Sequence, residues 1–180
     1  MPPGHREAAG RTPRPGVPYT LGMEFDGLPL HPLIIHVVVV FAPLAGTGGI
    51  LYAVVPGWRW WLRWPLVACA VIAAVAGVIA VRSGQSLENQ RHLQSLPELA
   101  THSARGRFLR WVMLAFLVPT ALAAWGLRGP SPMATVGQGR SGLTGVTAWA
   151  VQLLLVAGAV TVLVCVFLTG DSGARAVWGQ

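Results

Sequence analysis

Lysine is absent from this 180-residue chain: all thirteen basic residues are Arg. A GC-rich coding bias explains that without a functional role. Charge of either sign is scarce. Only 11% of residues are charged, against roughly 25% in an ordinary soluble domain, while 53% are apolar. Those proportions exclude an ordinary soluble domain, and the long apolar stretches put the chain in a lipid bilayer. Its length gives room for one domain. Cysteine is nearly missing too. Cys69 and Cys165 sit alone in apolar stretches, in no Cys-x-x-Cys pair or zinc spacing, so they read as small buried hydrophobes. There is no Gly-x-Ser-x-Gly elbow, phosphate loop, His-Glu-x-x-His or close pair of intramembrane carboxylates. The sequence therefore favours a non-enzyme. Nor does the net charge of +7 indicate nucleic acid. The arginines are scattered beside apolar spans and do not form the basic stripe that a nucleic-acid footprint needs.

What is present is ordered along the chain. Residues 1–26 hold five Pro with Arg6, Arg11 and Arg14, and are expected to form a disordered arm. Residues 27–178 are expected to form an all-α integral membrane four-helix bundle, with spans of about 33–55, 64–81, 108–125 and 146–168. Pro32 suits the first helical position, whereas Pro43 and Pro119 should kink their helices. Trp58-Arg59-Trp60-Trp61-Leu62-Arg63-Trp64 reads as an interfacial anchor. Ala70, Ala73, Ala74, Gly77 and Ala80 supply the small-residue spacing that lets helix backbones approach closely in lipid. Residues 83–92 suit a short interfacial helix between spans two and three. Ser95 and Glu98 have capping-box spacing around Pro97. The helix they open should run through His102, Arg105, Arg107 and Arg110 into the third span.

Four alternating spans assign every polar residue to a face. One face receives His31, His36, Ser83, Glu88, His92, His102, Asp171, Ser172 and Arg175, and with the arm it holds all six acidic residues and all five histidines. The other has only Arg59, Arg63, Arg128 and Arg140. The excess of Arg on the histidine face favours a cytoplasmic location for it and for both termini.

Histidine carries the functional question. An ionisable group inside a span counts as a site hypothesis by default, and His36 lies inside the first span. Positions five apart point about 140° from each other on a helix, so His31 and His36 cannot clamp one metal from a regular helix. Haem b held between His36 and His102, with His31 nearby, is one reading. A transition-metal or proton site at the mouth, built from His31, His102, Glu88 and Asp171, is another. In the structural alternative these side chains only bond neighbouring helices.

The run Leu28-Pro29-Leu30-His31-Pro32-Leu33-Ile34-Ile35-His36, together with Ser83-Gly84, Glu88, His102 and the segment Gly170–Trp178, resembles an uncharacterised family of predicted bacterial four-span membrane proteins. In some relatives the domain is joined to Rieske iron–sulfur or cytochrome c modules. The resemblance implies a bacterial cell-membrane protein near electron transfer and carries His31, Pro32, His36, Gly84, Glu88, His102 and Trp178 over as matching positions. Relatives often have His where Asp171 stands, which removes one candidate ligand here. Two functions follow as expectations. One is a redox-associated domain binding haem or a metal through His36, His102 and His31, with a redox partner protein. The other is a non-catalytic membrane subunit that docks a partner through the same polar face.

Overall fold

The computed structural model describes residues 24–25, 28–91, 97–127 and 142–178, with side chains over 31–86, 99–127 and 142–175. Four helices account for nearly all of it: α1 (Leu30–Val54), α2 (Arg59–Arg91), α3 (Pro97–Gly126) and α4 (Gly145–Trp178). Before α1, Glu24–Phe25 pairs antiparallel with Leu28–Pro29. All four helices are long and apolar enough to cross a membrane. At 1.5 Å per residue, the 33 residues of α2 and the 34 of α4 span roughly 50 Å, well beyond the ~30 Å hydrocarbon layer.

Several boundaries differ from expectation for identifiable reasons. Among the described residues no separate interfacial helix follows the second span, because α2 runs through Arg91. Nothing at Ser83 to Ser86 breaks the hydrogen-bond ladder, and its Leu-spaced polar turns continue the helix. α1 starts at Leu30 rather than after Pro32, so His31 lies in its first turn. Pro32 is tolerated there because the first four N–H groups have no intrahelical partner. α3 starts at Pro97 and passes through His102 to Gly126, as the Pro97 and Glu98 signals indicate. Most of the amino-terminal arm, the side chains of Glu88 and His92, and that of Trp178 lie outside the described residues.

The helices form a square. α1 packs on α2 and α4, α3 packs on the same two, and the α1–α3 diagonal barely touches. The interior is built largely from small side chains, among them Ala42, Ala45, Ala70, Ala73, Ala123 and Ala159. Phe116 crosses it against Gly49 and Gly158, where an added Cβ would lie 3.0 and 2.8 Å from the ring. Large apolar side chains such as Val40, Val75, Leu122 and Leu154 face outward, as lipid contact requires.

The two hairpins repeat each other. Val38, Ala42, Ala45, Gly49 and Tyr52 are buried on α1, and Leu109, Met113, Phe116, Thr120 and Ala123 are buried on α3. Counted from His31 and His102 respectively, the two sets have identical spacing. Likewise Leu62, Leu66, Ala70, Ala73 and Ser83 on α2 match the buried Val151, Leu155, Ala159, Val162 and Ser172 on α4. The bundle thus has an approximate two-fold axis along its length.

The end of the bundle opposite the histidines is tied by two side chains. Arg59, 7% exposed, donates from Nε to the Tyr52 carbonyl and from Nη2 to the Ala53 carbonyl, both at 2.9 Å. It thereby caps the last turn of α1. The Tyr52 hydroxyl donates to the Leu127 carbonyl at 2.8 Å and lies 3.3 Å from that of Ala123, which caps α3. The Trp58, Trp60, Trp61 and Trp64 rings around them are exposed, at the level where aromatic side chains collect in membranes. Tyr52→Phe removes one buried hydrogen-bond donor, so it is expected to lower stability by about 1 kcal/mol. Unfolding titrations with sodium dodecyl sulfate in mild detergent, compared with wild type, read the difference.

Candidate functional site

At the other end, the starts of α1 and α3 meet the ends of α2 and α4, and each hairpin builds the same clasp. His31 on α1 places Nδ1 3.0 Å from the Ala80 carbonyl and 3.1 Å from Ser83 Oγ on α2. His102 on α3 places Nδ1 3.2 Å from the Thr169 carbonyl and 3.4 Å from Ser172 Oγ on α4. In both cases the serine hydroxyl also donates to the same carbonyl, at 3.1 and 2.9 Å. A carbonyl can only accept, so Nδ1 is the donor in both contacts, and in a neutral ring with that tautomer the lone pair falls on Nε2.

A glycine makes the approach possible. At Gly84 an added Cβ would lie 2.9 Å from His31 Cε1, and at Gly173 it would lie 3.0 Å from His102 Cε1. In sequence terms the clasp is a carbonyl at position i, Ser at i+3 and Gly at i+4. Ala80, Ser83 and Gly84 supply it once, and Thr169, Ser172 and Gly173 supply it again.

Both imidazoles line one cavity of about 180 Å³, open on one side. Its walls come from all four helices and follow the two-fold repeat in part. His31 matches His102, Ile35 matches Gly106, Val38 matches Leu109, Gly77 matches Val166, and Ala80 matches Thr169. The cavity therefore lies between the two hairpins, with a histidine from each. It extends from Leu99 to Met113 along α3, roughly 21 Å. Apart from the histidines, its lining is mainly apolar or small, with Gln85, Ser103, Arg107 and Thr169 as the polar exceptions.

The other expected site residues are placed elsewhere. His36 is exposed, does not line the cavity, and turns Nδ1 back to the Pro32 carbonyl of its own helix at 2.6 Å. It is not brought together with His102. Asp171 forms an exposed ion pair with Arg175 at 3.1 Å, one turn along α4, and does not line the cavity. Among the described residues, no three His, Cys, Asp or Glu side chains converge as a metal cluster. Cys69 and Cys165 are free thiols.

The profile of a family described as predicted membrane protein (DUF2231) matches residues 27–180. The chain belongs to that family. No curated protein and no solved structure matches it. The matched region covers all four helices and both clasps, so the repeated site lies wholly inside the family domain.

Ser-Gly is the signal that could have revealed the site from sequence. Ser83-Gly84 and Ser172-Gly173 each end an apolar span, and each faces a histidine that opens the preceding one. Gly106→Ala meets no atom within 4 Å and should gain helix stability of up to about 1 kcal/mol. Gly84→Ala and Gly173→Ala press on a tethered ring instead. They should fall below the Gly106→Ala variant by about 1–3 kcal/mol, measured by the same detergent titration.

Proposed function

We propose that this protein is a membrane haem-binding domain in which His31 and His102, rather than His36 and His102, hold the group between α1 and α3. The observation that carries this reading is the pair of identical clasps on one cavity. Each clasp orients its imidazole through Nδ1, as metal-binding histidines are oriented by a hydrogen bond from the ring's other nitrogen. Donor count favours haem over a bare ion. A protein-bound transition metal wants about four ligands, whereas haem iron needs only axial ones from the protein, and two histidines lining one cavity match that number.

The walls also suit the group. Gly106 and Gly170 face open space, where an added Cβ would meet nothing within 4 Å, while Gly77 packs on Met113, the adaptable side chain at the inner end. A cavity of ~150 Å³ holds one benzene, so this partly open cavity of about 180 Å³ would take part of a macrocycle, with the rest outside it. Haem held in this way supplies one-electron chemistry. The chain's own residues bind it, fix the imidazole tautomer and keep bulk water from the inner face. Electron exchange with a redox partner at the histidine end of a bacterial cell membrane completes the proposal, with that end cytoplasmic by its excess of Arg.

Protein produced with haem supplied and purified in mild detergent is expected to show a low-spin, bis-imidazole Soret and α/β spectrum at one haem per chain. His31→Ala and His102→Ala are each expected to lose that spectrum, and His36→Ala to retain it. A wild-type protein without a Soret band sinks the proposal, and loss in His36→Ala alone restores the other pair.

A further inference from the structure

The cavity follows the two-fold repeat at several positions and departs from it at others, such as Val39, Gly84, Gln85 and Met113, and at one polar edge on α3. On α3, Ser103 and Arg107 line it one and five residues after His102. Their counterparts on α1 are Pro32 and His36, and neither lines it. The α3 side therefore adds a hydroxyl and a guanidinium that the α1 side lacks. Neighbouring arginines on this end are used differently. Arg105 donates to the Leu168 carbonyl at 2.8 Å, Arg110 lies over the Trp111 ring at 4.8 Å, and Arg175 pairs with Asp171. Arg107 points along its own helix to Ser103 Oγ at 3.4 Å, so both polar groups sit together on the cavity wall.

From this asymmetry we infer that Arg107 binds an anionic group, a carboxylate, on the edge of an otherwise apolar ligand in this cavity. The inference rests on the haem reading and deepens it: Arg107 selects a macrocycle with free propionates. A guanidinium presents paired N–H donors that match a carboxylate. Val38, Leu109 and Val166 offer nothing polar to that ligand, so its anionic edge and apolar body are recognised by different walls. Arg107 is exposed, and an exposed ion pair contributes modestly and is screened by salt.

The test uses full-length protein in a neutral detergent. Iron protoporphyrin IX and its dimethyl ester are titrated at low salt and at roughly 1 M salt, where the Debye length is ~3 Å. Wild type should bind the free acid about threefold to fivefold more tightly than the ester at low salt, with the preference fading at high salt. Arg107→Gln should abolish the preference with its circular dichroism unchanged, and Arg107→Lys should restore part of it. Equal preference in wild type and Arg107→Gln overturns the assignment of Arg107 while leaving the histidine ligands untouched. If neither iron porphyrin binds, metal-free protoporphyrin IX decides by its fluorescence. Arg107-dependent, salt-sensitive binding of that free acid supports the anion site and overturns iron ligation, and no binding overturns both.

Discussion

An imidazole N–H half-buried between apolar helices gains from an acceptor, because a donor left unpaired there is costly. In this bundle the acceptor is a helix carbonyl that already serves its own ladder, Ala80 in one hairpin and Thr169 in the other. Reaching it requires the ring to lie almost on the partner backbone. That approach dictates the next residues along the helix. Serine one turn on shares the carbonyl, and glycine beside it leaves the room that a side chain would occupy. The level of the histidines, the tautomer they adopt and the closeness of each helix pair all follow from that one contact.

Two copies of the contact explain the shape of the whole. Each fastens a hairpin at the same height, so the square of helices acquires its axis and the histidines face a common interior space. The other end departs from the repeat. Tyr52 and Arg59 cap α1 and α3 there, while the residue matching Tyr52 is Ala123, which offers no hydroxyl. The result is a bundle with one tied end and one end open around its polar residues.

The fold was legible in the sequence because apolar length alone marks a helix that must cross a bilayer, and alternation of four spans sorts polar residues to one rim. Helix ends were less legible. Polar turns such as Ser83–Ser86 carry no breaker, and they stay helical where a change of environment suggested an interruption. His31 and His102 were among the candidates, but His36 drew attention through its deeper position. Depth along a span says nothing about which face a residue occupies, and His36 falls on an outer face. The Trp-Arg run read as a uniform anchor, yet its Arg59 is a buried cap, because a guanidinium just past a helix end can reach that helix's last carbonyls. Neither distinction is encoded in composition. Both need the neighbouring helix.

Phe116, wedged between Gly49 and Gly158, has a wider implication. Below the cavity the interior passes to that ring and then to Leu66, Leu155 and Tyr52, each almost wholly buried. The described interior between the hollow and the Tyr52 end is thus occupied by packed side chains, and the ring of Phe116 forms the first step of that floor.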